Sequence, residues 1–247
     1  MNQINRMETT SEVDRLKEVY REYAVRGFGQ SKWSPANKGN QATRDECQRE
    51  LRQLLERSDF FPLENRRILD VGCGSGERLA AFANWGARPE NLLGIDLIPD
   101  RIRVARQNHP QLIFQVANAE ALPFADGSFD LVMIFTVFTS ILNCQMATNV
   151  SSEIRRVLVS GGGVLWYDFR MNNPVNRHVQ GISPKQIQNL FPGFKMELKT
   201  VSLLPPLARR LGRLSGLLYP PLSAVSFLRS HCLGLLTKPL KSVGTMV

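Results

Sequence analysis

The chain has 247 residues, 43% of them hydrophobic, and a formal net charge of +9. That length carries one large α/β domain with a sizeable core, and the composition is that of a globular protein, which sets aside disordered and fibrous classes. The four cysteines Cys47, Cys73, Cys144 and Cys232 are scattered with no C-x-x-C pair, which speaks against a disulfide framework or a zinc site and for reduced thiols in a cytoplasmic protein.

The first residues, Met1 to Arg6, are polar and lack the apolar stretch of a signal peptide. Residues 11–25 place Val13, Leu16, Val19, Tyr20 and Tyr23 at helical spacing, which predicts a helix. Residues 26–41 are rich in Gly, Ser, Asn and Pro and read as a loop. A second helix is expected over 44–61, with Cys47, Leu51, Leu54 and Leu55 on one side. Residues 1–61 are thus N-terminal helices with a lid loop, and 62–247 are the core. There strands (68–71, 92–96, 113–116, 129–135 and 164–169) alternate with helices (77–84, 99–108 and 149–158). Such alternation predicts a parallel sheet with helices on both faces, its ligands bound at the carboxyl edge. A helix over 184–191 follows, then strands over 194–203 and 231–237. Residues 205–229 would then be a helical insertion between those two strands, with Leu207, Leu211, Leu214 and Leu218 in a stripe beside Arg209, Arg210 and Arg213. No uncharged apolar run reaches the roughly 18 residues that span a bilayer.

The most informative stretch is Asp70-Val71-Gly72-Cys73-Gly74-Ser75-Gly76, between a predicted strand and a predicted helix. Glycines there can take positive φ, and the helix start adds N–H groups and partial positive charge. Asp96 ends the next strand twenty residues beyond Gly76, where a dinucleotide-type unit puts its ribose-binding acid. Asn118-Ala119-Glu120-Ala121-Leu122-Pro123-Phe124, Asp126-Gly127-Ser128-Phe129-Asp130 and Gly161-Gly162-Gly163 before Val164 follow in order.

Over residues 66–169 this series resembles the class I S-adenosyl-L-methionine (SAM) methyltransferases, in the group with the ubiquinone and menaquinone biosynthesis enzymes. The resemblance implies a Rossmann-like doubly wound sheet of seven strands, mostly parallel with one antiparallel strand. It also implies SAM as the cofactor. Asp70 would hold the ammonium, and the Gly72, Cys73, Gly74 and Gly76 turn would lie along the amino-acid end and ribose. Asp96 would accept the ribose hydroxyls, with Leu97 beside it, and Asn118 and Ala119 would meet the adenine. The group usually has Asp where Asn118 stands; the amide oxygen still accepts. Phe135 would line the site or simply pack the core.

Methyl transfer is an in-line displacement in which the enzyme mainly positions the reactants, with a base where an oxygen nucleophile has a high pKa. His178 and Asp168, in and before the polar loop after the fifth core strand, are the candidates; the alternative is that both brace the loop. Trp33 could close the pocket or anchor its own loop. No H-x-x-H or H-E-x-x-H pattern occurs, so no metal is expected. Residues 198–247 hold no acid but seven basic residues, which suits an anionic partner or a solvated face equally. O-methylation of a small molecule or a sugar intermediate is the first reading, with a phosphate-bearing acceptor suiting Arg170, Arg177 and the insertion arginines. The alternative is a lipid or quinone precursor, met with the insertion on the inner membrane face. Phe135-Thr136-Val137-Phe138 lacks the Asn/Asp-Pro-Pro-Tyr/Phe element of amino-methylating enzymes, and no nucleic-acid partner is expected.

Overall fold

The computed structural model describes residues 11–27 and 32–240. The polar residues before Ser11, residues 28–31 of the expected lid loop, and Lys241 lie outside them. The sheet has seven strands: β1 (Ile68–Val71), β2 (Leu92–Asp96), β3 (Ile113–Val116), β4 (Phe129–Phe135), β5 (Leu158–Phe169), β6 (Lys195–Leu203) and β7 (Arg229–Thr237). Their order is β3-β2-β1-β4-β5-β7-β6. Strands β1 to β5 pair in parallel, whereas β7 runs antiparallel to both β5 and β6. The order reverses at β1, so the crevice at its carboxyl end is the place for a ligand in an open α/β sheet.

Nine of the eleven residues of β1 and β4 are apolar, which shows why the sheet is covered twice: alternate side chains enter opposite cores. On one face Ile68, Leu131 and Met133 pack with Leu51 and Leu55 of α2 (Lys38–Glu56), Phe82 of α3 (Glu77–Asn84) and Ile102 of α4 (Pro99–Asn108). On the other, Leu69, Val132 and Ile134 pack with Leu16 of α1 (Glu12–Val25), Val150 and Ile154 of α5 (Cys144–Val157) and Ile187 of α6 (Pro184–Leu190).

Several boundaries differ from the sequence reading. Helix α2 begins at Lys38 and ends at Glu56, not 44–61, because Asn37 caps it by accepting from the Gly39 and Asn40 N–H groups. Gly39 is tolerated inside that helix for a packing reason: a Cβ there would lie 1.8 Å from the Ala208 carbonyl oxygen. Helix α5 begins at Cys144 on an Asn143 cap, and β5 begins at Leu158. The insertion is not one continuous leucine stripe. It forms α7 (Pro205–Arg210) and α8 (Ser215–Ala224), with Pro220 and Pro221 inside α8. Its anchor is polar: the buried Glu46 carboxylate of α2 accepts from the Ser202 N–H at 3.0 Å and the Tyr219 hydroxyl at 2.7 Å.

Candidate active site

The turn between β1 and α3 uses left-handed backbone at Gly72, Gly74 and Gly76. A Cβ on Gly72 would lie 2.8 Å from Val137, and one on Gly76 would lie 2.6 Å from the Phe114 ring, whereas one on Gly74 would meet nothing within 4 Å. Only the middle glycine therefore faces open space. The Gly72 and Cys73 N–H groups both donate to the Ile95 carbonyl oxygen at 2.8 and 2.9 Å, and Gly74 N–H donates to Asp96 Oδ2 at 3.0 Å. These three donors bind the turn to the tip of β2 and fix its shape, while the start of α3 keeps its positive end beside the cavity.

The two acids at the strand tips have different surroundings. Asp96 Oδ1 accepts from Ile98 N–H at 2.9 Å, and Oδ2 also receives Arg101 Nη1 at 3.5 Å. Asp70 is 2% exposed and accepts no hydrogen bond from a described residue. Burial pushes its carboxyl up to about 7; the Arg78 charge opposes that shift and Asp96 adds to it. A buried acid without a donor on the wall of a cavity suits a cationic group of a ligand. This, with the open face of Gly74, is the structural ground on which the site fits the ammonium and ribose of SAM.

Both acids line a cavity of about 1690 Å³, above the roughly 300–1,000 Å³ that holds one drug-sized ligand. Gly72, Cys73, Gly74, Leu97, Asn118, Ala119 and Phe135 line it too, whereas Gly76 does not and is packed by Phe114 and His109. Asn118 Oδ1 already accepts from the Glu120 N–H at 3.0 Å, leaving one lone pair for an adenine amino group. Trp33 is half-exposed on the cavity wall, with the Arg209 guanidinium 5.5 Å from its ring centre.

The two base candidates fall outside the cavity lining. Alternation along β5 explains Asp168: Tyr167 and Phe169 face the cavity, and Asp168 turns the other way. It is fully buried, accepts from the Thr139 and Phe169 N–H groups at 3.2 Å each, and is pushed up to about 8 by burial. It braces the 3₁₀ turn Phe138–Ser140. His178 is half-buried, and its N–H donates to Asn176 Oδ1. Arg170, expected to meet a phosphate, donates to the Ser226 and Arg229 carbonyls.

Sequence reasoning missed the polar groups that do line that end: Arg78, Tyr167, Ser230 and His231. The Arg78 guanidinium lies 3.8 Å over the Phe135 ring and 5.9 Å from that of Tyr167. One signal was available for His231. An antiparallel last strand starts at the edge where its parallel neighbours end, so its first residues reach the site.

Residues 68–162 match the methyltransferase domain family. The phthiotriol/phenolphthiotriol dimycocerosates methyltransferase of Mycobacterium leprae is 31% identical over 52% of this chain and 47% of its own length. The ubiquinone/menaquinone biosynthesis C-methyltransferase UbiE of a Geobacter strain is 30% identical over 42% of this chain and 45% of its own. Among solved structures, an S-adenosylmethionine-dependent methyltransferase from Mesorhizobium loti superposes with a TM-score of 0.57 at 18% identity, covering 77% of this chain and 96% of that one. The chain spans about half the length of the first curated relatives it matches. Over residues 68–162 the chain is thus similar to the methyltransferase domain, and its sheet order and fold are those of the superposed methyltransferase.

Proposed function

We propose that the chain transfers a methyl group from SAM to an oxygen of a small, largely apolar acceptor. The observation that carries this reading is the single cavity that joins the Gly74 turn and both acids to an aromatic wall of Phe135, Tyr167 and Phe169. SAM, when bound, supplies an electrophilic methyl on a positively charged sulfur. Asp70 would receive its ammonium, Asp96 its ribose hydroxyls, and Asn118 with the Ala119 N–H its adenine. The remaining work is positional: the aromatic wall and helices α1 and α2 hold an acceptor in line and keep water out.

An apolar acceptor suits the aromatic wall; of the arginines expected to meet a phosphate, Arg170 is engaged by backbone carbonyls and Arg177 does not line the cavity, whereas Arg209 and Arg210 of the insertion do. A second reading, in which the acceptor is a lipid or quinone precursor taken from a membrane surface, is favoured by one observation. Leu214, Leu217 and Phe227 of the insertion are 58%, 74% and 73% exposed, within a segment that has basic residues and no acid. No described helix is long and apolar enough to cross a membrane. The test is labelled methyl transfer to apolar alcohols, quinone precursors and envelope sugars, with and without anionic vesicles. Label on oxygen of an apolar acceptor supports the first reading, and transfer that needs vesicles supports the second. Label on carbon, or on sugars alone, contradicts the proposal.

A further inference from the structure

His231 belongs to none of the groups that serve the cofactor half. The ladder of β5 and β7 sets it opposite Phe169, and it lines the cavity while only 3% exposed. Its ring stacks on Tyr167 with centroids 4.5 Å apart and planes at 9°, and it packs against Phe169 at 3.9 Å. These contacts fix the plane of the imidazole.

The neighbouring hydroxyl assigns its tautomer. Ser230 Oγ donates its hydrogen to the Ser202 carbonyl oxygen at 3.0 Å. A serine hydroxyl has no second hydrogen, so across the 2.8 Å contact between Ser230 Oγ and His231 Nδ1 the ring is the donor. Nδ1 carries the hydrogen, and Nε2 is left with a bare lone pair. Burial, and then the facing charge of Arg78, hold the imidazole down at about 3, so the ring is neutral. Nε2 has no described partner, yet it is absent from the polar atoms sealed away without one, namely Arg15 Nη1, His109 Nε2, Arg155 Nε and Trp166 Nε1. It opens on the cavity that His231 lines.

We propose that His231 Nε2 accepts a hydrogen bond from the hydroxyl of the methyl acceptor, and that the site therefore selects an un-ionised hydroxyl, an alcohol or a phenol, over a carboxylate; as the C–O bond forms and the methyl–sulfur bond breaks, the hydroxyl proton leaves by way of Nε2 to solvent at the cavity mouth. This rests on the methyl-transfer reading above. A hydroxyl can donate to the lone pair, whereas an ionised carboxylate presents only acceptor oxygens to it. At the buried end of the cavity, where His231 is 3% exposed, that mismatch leaves Nε2 unpaired, and sites built around one substrate hydroxyl discriminate strongly for this reason. The aromatic shelf of Tyr167 and Phe169 beside Nε2 then takes the apolar body that carries the hydroxyl.

The chain has three histidines, which long-range proton–nitrogen NMR of isotope-labelled protein can separate. His231 is expected as the Nδ1–H form, staying neutral as pH falls through the ordinary histidine range. Two probes of matched shape, para-hexylphenol and para-hexylbenzoate, test selectivity. The phenol should move the His231 Nε2 resonance and bind about ten-fold more tightly than the benzoate. His231→Phe, which keeps the stack and removes the lone pair, should erase that preference and leave S-adenosylhomocysteine affinity within about two-fold of the parent. An Nε2–H tautomer, equal binding of the two probes, or a preference that survives His231→Phe overturns the proposal. Should the variant not fold, the tautomer and the two-probe comparison in the parent decide. If S-adenosylhomocysteine fails to bind the parent, the methyl-transfer reading falls, while tautomer and probes still judge His231 on their own.

Discussion

The two ends of the cavity are made in different ways. The cofactor end is local. Asp70, the glycine turn and Asp96 lie within 27 residues of sequence, and backbone N–H groups of the turn fasten directly to the β2 tip. The acceptor end takes only Arg78 from that stretch and is otherwise assembled from afar: Tyr167 from β5, Ser230 and His231 from β7, and the insertion held on α2 through Glu46. A locally built, backbone-held end constrains the residues that can form it. An end made of distant side chains can be refitted to a new acceptor while the cofactor grip stays as it is.

The largest effect that should separate the two ends comes from Glu46. Glu46→Ala leaves the buried Ser202 N–H and the Tyr219 hydroxyl without their shared acceptor, and each unsatisfied group costs about 1–3 kcal/mol. Denaturant unfolding should show a loss of about 3 kcal/mol, while S-adenosylhomocysteine affinity of the folded fraction stays within about two-fold. A drop in that affinity as large as the loss of stability would mean that the ends are one unit.

A smaller effect tests the buried acids through pH. The folded protein holds Asp168 at about 8 and Asp70 at about 7, both above the ordinary 3.8. The fold thus favours the protonated forms. The stability this gives is full below 3.8, and it is lost as pH rises through about 7 for Asp70 and about 8 for Asp168. One such group changes stability by at most about 1.4 kcal/mol per pH unit. Asp168→Asn should flatten the decline between pH 3.8 and about 8 without altering cofactor affinity, because Asp168 stands outside the cavity. An unchanged pH slope in that variant would contradict the assignment.

The same contrast explains what could be read from the sequence. The strands were legible because period is a local mark, and glycine spacing with a strand-end acid marked the turn and the two carboxylates that meet on one cavity; the one reversed strand came from the resemblance to a known fold. The start of α2 was not, because Asn37-Lys38-Gly39-Asn40 reads as a loop until Ala208 is seen to need Gly39 in a helix. Asp168 and His178 were chosen for their place in the chain. A change of one position along β5 turns Asp168 to the far face, and the antiparallel pairing of β7 brings His231 in from 62 residues past Phe169. Neither fact has a local signature.

The most direct measurement of the central claim is calorimetric titration of the parent and of Asp96→Ala with S-adenosylhomocysteine. The account predicts one site in the parent and a loss of about 100-fold or more in the variant, because the carboxylate that would take the ribose also holds the Gly74 and Ile98 N–H groups. No binding heat in the parent, or equal affinity in the two proteins, would contradict it.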